Sequence, residues 1–248
     1  MKWILIVVTC FTLSQGFAEK LVIGVSSDDP PFSSRAGCEG CFYGFEIDLI
    51  ETICKRIGAE CQLKSVIASQ LLDSLFSHKI DLAMSAVIST HERLNIPIQF
   101  SMPYFPSSAA FIVKKQSPFQ TINDLKDKRI GIRVWGIYRS AMFEYIVLKI
   151  FDYHVNIVLY LTMSDLLYAL TNDQVDAVFA NTEPLKFWQI NNSSYFKMLG
   201  KPVFVGDGYA VMGKDSDTAL LERVNQGLAL IQRDGTYKKI YNLYFKSI

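Results

Sequence analysis

The chain has 248 residues, which is enough for one or two domains with their own cores. Half of the residues are apolar and a fifth are charged, so the composition excludes an intrinsically disordered chain. The formal net charge is +1, without a basic stripe, which argues against nucleic acid as a partner.

The first 18 residues have the pattern of a secretory signal peptide. Lys2 precedes an apolar run over 3–13, and small residues lie three and one positions before a cut after Ala18. A membrane anchor is the first alternative, but this run is shorter than the ~20 residues that span a bilayer. Lipidation at Cys10 is the second, although Thr9 before it is not the expected small residue. We therefore predict removal of residues 1–18 and a periplasmic protein.

Removal of the signal peptide leaves an even number of cysteines: Cys38, Cys41, Cys54 and Cys61. In an exported chain this predicts disulfides, and we favour two local bridges, Cys38–Cys41 and Cys54–Cys61. Four cysteines allow three pairings, and the sequence alone does not choose between them. Half a zinc site at the first pair is the alternative, but no second CxxC occurs and the histidines lack ligand spacing. We expect neither a metal nor a cofactor.

The mature chain begins with alternating strands and helices. Residues 21–23 predict a strand that ends at Gly24, and residues 44–57 keep a helical period up to Gly58. The chain then turns back as a strand over 61–66, followed by a helix over 69–78 and a strand over 79–87. This order is typical of an α/β domain with a mainly parallel sheet.

The second half repeats the alternation. The predicted elements are a short helix and a strand within 121–134, a helix over 141–151, a strand over 155–161, a helix over 163–174 and a strand over 175–181. A strand pair over 203–214, a helix within 217–235 and a last helix over 236–245 follow.

These elements predict two α/β lobes. The first would combine residues 19–107 and 205–248, and the second would span residues 108–204. Extended crossovers near 105–112 and 200–207 would form a hinge with a cleft between the lobes. Ligands of such sheets bind outside the carboxyl ends of the strands. The strand ends at 26–29, 85–93, 135–138 and 181–183 are therefore expected to converge on that cleft.

Five motifs occur in order: "GFEIDLIETICKRIGAEC", "KIDLAMSAVISTHER", "LKDKRIGI", "VDAVFAN" and "RDGTYKKIYNLYF". Together they resemble the periplasmic polar amino-acid-binding proteins of ABC importers, solute-binding protein family 3, and especially the lysine/arginine/ornithine, histidine and arginine binders. The resemblance runs from Lys20 to Phe245. It implies the two-lobed type II periplasmic-binding-protein fold, and the Cys54–Cys61 spacing matches a disulfide of that subgroup.

The resemblance gives Arg93 the role of clamping the α-carboxylate of the ligand. A guanidinium is a planar fork of donors that binds a carboxylate bidentately, and a closed cleft strengthens the pair. Ser85 and the backbone N–H groups of Ala86 and Ile88 would complete the carboxylate site. The alternative is a surface arginine paired with Glu46 or with the glutamate that precedes it.

The chain departs from the family pattern at two turns. Ile88 stands where relatives carry serine or threonine, so a hydroxyl donor is lost. The second-lobe turn, where relatives have glycine and then threonine or serine, reads Trp135, Gly136, Ile137 and Tyr138. Trp135 is interpreted either as a new aromatic wall of the ligand site or as a core residue.

Further departures concern charge. The aspartate that pairs with the ligand's α-ammonium is replaced by Asn181, which accepts a hydrogen bond but supplies no countercharge. Glu183 is a candidate to replace that aspartate as the partner of the α-ammonium. Asp29 replaces the aromatic that stacks on the ligand side chain, and Ser26 lies on the same turn. Asp28 and Asp29 would suit a cationic ligand, although two acids before Pro-Pro more commonly mark a solvated turn.

The function expected from these residues is a monomeric receptor that captures a polar, possibly basic, amino acid or a related small carboxylate. It would deliver this ligand to the permease of an ABC transporter and would catalyse no reaction. The first alternative is an enzyme on the same fold, similar to periplasmic cyclohexadienyl dehydratases, with Glu183 as its one candidate carboxylate. The second is a ligand-sensing module that acts through a separate signalling partner.

Overall fold

The computed structural model describes residues 19–38, 40–89, 96–134, 143–144 and 146–246. The helices in these ranges are α1 Phe45–Arg56, α2 Leu71–Phe76, α3 Met163–Thr171, α4 Thr182–Asn191, α5 Thr218–Arg233 and α6 Thr236–Phe245. The strands are β1 Glu19–Val25, β2 Asp28–Asp29, β3 Ser33–Arg35, β4 Phe42–Tyr43, β5 Ala59–Ser65, β6 Leu82–Ala83, β7 Ile88–Ser89, β8 Ile98–Phe100, β9 Ser108–Lys114, β10 Arg129–Arg133, β11 Asn156–Tyr160, β12 Ala177–Asn181, β13 Phe196–Phe204, β14 Gly208–Tyr209 and β15 Met212–Lys214. Residues 146–150 are helical as well.

The first sheet has the order β5-β1-β6-β15-β8. β1 pairs in parallel with both β5 and β6, whereas β15, from the end of the chain, joins β6 and β8 antiparallel. α1 covers this sheet with a buried apolar face, and Gly58, at φ 70°, lets the chain turn back into β5. The return of β15 therefore places the C-terminal segment in the first lobe.

The second sheet has the order β11-β10-β12-β9-β13. β10 lies between β11 and β12 and is parallel to both, while β9 and β13 complete the sheet antiparallel. α3 packs against β10 and β12, and α4 packs against β12, β9 and β13. Like the first sheet, it has its parallel strands in the order that a strand–helix–strand alternation produces.

The two crossovers between the lobes run side by side. The Val205 N–H donates to the Ser107 carbonyl at 3.2 Å, and the Tyr209 N–H donates to the Phe105 carbonyl at 2.7 Å. At Gly208, a Cβ would lie 2.8 Å from the Phe105 carbonyl oxygen, so this close approach requires glycine. The crossovers thus form a paired hinge.

An aromatic cluster anchors the hinge to the first lobe. The Phe105 and Tyr209 rings, one from each crossover, stack with their centroids 5.9 Å apart. Phe32 contacts both rings edge-on at 5.2 and 5.3 Å, and Phe245 of α6 packs 4.9 Å from Phe105. Edge and offset contacts of this kind stabilise aromatic cores beyond the burial of area alone.

Both predicted disulfides are present. Cys38 and Cys41 are bonded in the loop between β3 and β4, and Cys54 of α1 is bonded to Cys61 of β5. The second bridge fixes the carboxyl end of a helix to the strand that follows it. The alternative of half a zinc site is therefore wrong for this pair of cysteines.

The mixed α/β prediction is confirmed, with three differences in detail. The strand predicted over 79–87 is two short strands, because Ala86 adopts a left-handed φ of 43° between them. The helix α4 was not predicted; Pro184 is tolerated there because it lies in the first turn. The edge strand β13 was not predicted either, since Gly200 and Pro202 interrupt its pattern at a register shift.

Two other predictions lie beyond what the structure tests. Residues 1–18, the proposed signal peptide, are outside the described residues. The boundaries of the two lobes at 107/108 and 204/205 remain predictions. Over the part of the chain that is described, no helix has the length and apolar character needed to cross a membrane.

Candidate ligand site between the lobes

The carboxyl ends of β1 and β6 form the first-lobe edge of the candidate site. Gly24 of β1 is in register with Ala83 of β6, so Ser26 and Ser85 leave the sheet together at this edge. Both serines are buried. The Ser26 hydroxyl donates to Asp28 at 2.5 Å, whereas the Ser85 Oγ has no hydrogen-bond partner among the described residues.

The carboxyl ends of β10 and β12 form the corresponding edge of the second lobe. Ile132 of β10 is in register with Phe179 of β12, so Arg133 and Asn181 come to the same end of the sheet. Both side chains are buried. The position of these polar groups at the two sheet edges follows from the topology alone, because neighbouring parallel strands have their carboxyl ends at the same edge.

An ion pair joins the two edges. The Arg133 Nη2 lies 3.2 Å from the Asp29 Oδ2, and its Nη1 lies 3.8 Å from the Asp28 Oδ1. The Arg133 and Asp29 side chains are only 3% and 1% exposed. Asp29 is therefore not part of a solvated turn, which was one interpretation of the sequence. It is a buried carboxylate whose cation comes from the other lobe.

The turn after β6 is held by Glu46, the second residue of α1. The Ala86 N–H donates to the Glu46 Oε1 at 2.5 Å, and the Tyr104 hydroxyl donates to the same oxygen. Glu46 is fully buried, so it is not a surface partner. The prediction that the Ala86 N–H binds the ligand carboxylate is wrong, because the structure gives that N–H to Glu46.

Ile88 lies in the short strand β7, and its role as a donor to the ligand stays a prediction. It is paired with Tyr209 of β14, and the adjoining ladder bond runs from the Ala210 N–H to the Val87 carbonyl. Ile88 and Tyr209 are therefore a non-hydrogen-bonded pair, in which the N–H and carbonyl groups point away from the partner strand. The Ile88 N–H is directed away from β14.

Asn181 and Glu183 lie where β12 becomes α4. Asn181 is the last residue of the strand and the N-cap position of the helix, and Thr182 beside it accepts a hydrogen bond from the Ser108 hydroxyl at 2.8 Å. Burial raises the pKa of the Glu183 carboxyl above its ordinary value. Its charged form is thus disfavoured, which weakens Glu183 as a replacement for the missing aspartate.

Several predicted site residues lie outside the described residues. They are Arg93 and the second-lobe turn Trp135, Gly136, Ile137 and Tyr138. Their roles remain predictions.

Two important residues were missed from the sequence. Arg133 was predicted only as part of a strand. A charged residue at the carboxyl end of that strand, two positions before Trp135, is the feature that could have indicated a place in the site. Glu46 was considered only as a surface partner. Within the described ranges, no group of three or more His, Cys, Asp or Glu side chains could hold a metal ion.

Comparison with known proteins gives a consistent result. Residues 21–247 match the family described as bacterial extracellular solute-binding proteins, family 3. The ABC transporter arginine-binding protein 1 of Escherichia coli (strain K12) is 34% identical over 240 residues, which cover 95% of this chain and 94% of that protein. The arginine-binding periplasmic protein of Mannheimia haemolytica is 30% identical over 233 residues, 89% of each chain.

A solved structure extends the likeness to the fold. The crystal structure of an arginine 3rd transport system periplasmic binding protein from Legionella pneumophila superposes with a TM-score of 0.82 at 31% identity. It covers 92% of this chain and 100% of that one. The two-lobed fold expected from the sequence is thereby confirmed.

Proposed function

We propose that this protein, which belongs to the bacterial extracellular solute-binding proteins of family 3, binds a polar amino acid between its two lobes. It is a solute-binding receptor of the kind that serves ABC importers. The relatives reported above are named as binding proteins and not as enzymes, and nothing favours the dehydratase alternative. The observation that carries the proposal is the convergence of two sheet edges, one from each lobe, through Arg133 and Asp29.

The α-carboxylate is proposed to bind at the first-lobe edge. Arg93 is the clamp, and the Ile88 N–H, which is directed away from β14, is a second donor. The buried Ser85 hydroxyl is a third, because a buried polar group without a protein partner is stabilised when a ligand satisfies it. The left-handed backbone of Ala86 shapes the turn of the site. The Ala86 N–H is not a donor to the ligand, because it donates to Glu46.

The rest of the ligand is proposed to face the second lobe. Asn181 accepts a hydrogen bond from the α-ammonium, and residues 135–138 are further candidates for contact with the ligand. Asp29 lies against Arg133, and the Ser26 hydroxyl donates to the neighbouring Asp28. Because ligand contacts would come from both lobes, binding would favour the closed arrangement about the paired hinge.

The cellular setting is part of the same proposal. Two of the proteins reported above are named as periplasmic, and residues 1–18 have the pattern of a cleaved signal peptide. We therefore place the mature protein in the periplasm, as a monomer that delivers its ligand to the permease of an ABC transporter. Both disulfides suit an oxidising compartment.

Thermal melting of refolded protein against a panel of amino acids and small carboxylates tests the proposal. A ligand at ~1,000 times its dissociation constant is expected to add about 4 kcal/mol to the free energy of unfolding. The Arg93→Ala variant should lose this stabilisation, because truncating one partner of a buried charge pair costs about 2–5 kcal/mol of binding.

Arg56→Ala is the matched control. Arg56 pairs with Asp234 on the surface of the first lobe, and exposed pairs of this kind contribute about 0–1 kcal/mol. This variant should keep the full ligand-induced shift. If no amino acid or carboxylate in the panel stabilises the refolded protein, or if Arg93→Ala binds as tightly as the wild type, the proposed site is wrong.

A further inference from the structure

Arg133 brings a positive charge to the junction of the two lobes, at the carboxyl edge of the second sheet. It is the last residue of β10 and reaches across to β2 of the first lobe, against which α3 also packs. Its guanidinium lies 3.2 Å from Asp29 and 3.8 Å from Asp28, and the arginine is only 3% exposed. A fixed cation of the protein therefore already contacts the two acidic residues that suggested a basic ligand.

The two carboxylates differ in what they could offer a second cation. Asp29 is buried and has its countercharge in Arg133. Asp28 is 36% exposed and accepts the Ser26 hydroxyl at 2.5 Å, so water and the serine already solvate it. Because burial strengthens electrostatic interactions, the Arg133–Asp29 pair is the dominant fixed charge pair at this end of the site.

The second-lobe residues at and after the end of the neighbouring strand β12 add little negative charge. Asn181 is neutral where the family pattern has an aspartate, and burial raises the pKa of Glu183, which favours its uncharged form. A ligand with a cationic side chain would approach the Arg133 guanidinium in a closed cleft. Like charges brought together in an interface suppress binding strongly.

We propose that Arg133, neutralised by Asp29 and Asp28, makes this receptor select an amino acid with an uncharged polar side chain and reject basic ones. The inference rests on the proposed function and names the ligand class of the same site. An uncharged amide or urea group can accept a hydrogen bond from the guanidinium and donate one to Asp28 or Asp29 without adding charge. Arg133 is thus a specificity-determining residue.

L-Arginine and L-citrulline are the matched probes, because they have nearly the same shape and differ in whether the terminal group is charged. Titration calorimetry of refolded wild-type protein should show that citrulline binds at least about tenfold more tightly than arginine. L-Glutamine against L-lysine should give the same order. In Arg133→Met the preference should fall or reverse, since Asp29 and Asp28 are then left for the ligand's cation.

Arg129→Met is the control for the variant, because Arg129 lies on the same strand but pairs with Asp176 inside the second lobe. It should keep the wild-type order of ligands. If Arg133→Met does not fold, the double variant Arg133→Met with Asp29→Asn removes the pair together and should lose the discrimination against arginine.

The outcomes separate the two proposals. Binding of arginine or lysine as tightly as citrulline or glutamine by the wild type overturns the inference but leaves the amino-acid receptor intact. Tighter binding of glutamate than of glutamine overturns it as well, since the site would then select an anion. Absence of binding to every amino acid overturns the receptor proposal and this inference with it.

Discussion

The two lobes use the same device at the amino ends of their central strands. In the first lobe, the Asp81 carboxylate accepts the Val22 N–H at 2.7 Å, and the Asp81 N–H donates to the Val22 carbonyl. In the second, Asp176 makes the same pair of bonds with the backbone of Arg129, at 2.9 and 2.8 Å. The motifs "KIDLAM" and "QVDAVF" are thus structurally equivalent repeats, and their aspartates fix strand register.

The carboxyl ends of the same strands differ completely. The first lobe presents Asp28 and Asp29, and the second presents Arg133. The lobes also differ in cross-links, because every cysteine of the chain lies at or before position 61 and none lies in 108–204. The amino ends of the strands therefore carry the same bonds in both lobes, whereas the carboxyl ends carry complementary charges, at the place where we propose that the ligand binds.

The largest expected effect comes from breaking this complementarity on one side. Arg133→Met removes the guanidinium that lies 3.2 Å from the buried Asp29 carboxylate, and removal of one partner of a buried pair costs about 3–5 kcal/mol. Urea denaturation at neutral pH measures the loss. Adding Asp29→Asn to the variant should restore a large part of the stability, because the uncompensated charge is then gone.

Arg129→Met provides the contrast within the same strand. Arg129 and Asp176 are 43% and 25% exposed in their side chains, so their ion pair is partly solvated. Its loss should cost about 1 kcal/mol or less. Equal losses for Arg129→Met and Arg133→Met would contradict the distinction between the two ends of β10.

The next largest loss of stability should come from reduction of the disulfides, and it should be confined to the first lobe. Closing the loop between Cys54 and Cys61 contributes about 2.5 kcal/mol in the chain-entropy estimate, and the shorter Cys38–Cys41 loop about 2 kcal/mol. Reduction should therefore increase hydrogen exchange in α1 and β5 and leave β10 and β12 unchanged. Comparable increases in both lobes would show that they do not unfold independently.

The sequence was sufficient for the parts of the fold that depend on local patterns. The helical period up to Gly58 and the repeated strand–helix alternation predicted α1 and the parallel strands of both sheets. The two local bridges that were favoured among three possible pairings are the ones present. β13 was missed because an edge strand with Gly200 and Pro202 lacks a clear alternation, although its pairing with β9 supplies the backbone bonds.

The site could be predicted only by position. Parallel topology placed Ser26, Ser85 and Asn181 at two strand edges. It could not indicate that the Ala86 N–H binds Glu46, or that Asp29 binds a cation from the other lobe, because these contacts join residues 40 and 104 positions apart. Local periodicity carries no information about which charge a buried carboxylate meets.

The smallest expected difference in stability is between the aspartates of the two repeats, Asp81 and Asp176. Asp176 accepts the Arg129 N–H and also the Arg129 guanidinium, through Nε and Nη2 at 3.0 Å each, whereas the Asp81 side chain accepts the Val22 N–H. Asp176→Ala should therefore cost about 1–1.5 kcal/mol and Asp81→Ala about 1 kcal/mol at neutral pH, by urea denaturation.

The pH dependence makes that small difference measurable. Hydrogen bonds from Arg129 lower the pKa of the Asp176 carboxyl below its unfolded value. Since the folded state binds its proton less readily, the stabilisation is complete above the unfolded pKa of about 4 and is lost as the pH falls through the folded pKa. The wild type and Asp176→Ala should thus differ at pH 7 and converge in stability at acid pH. A gap that persists undiminished in acid would mean that the Asp176 charge contributes nothing, and that the two repeats hold their strands by backbone geometry alone.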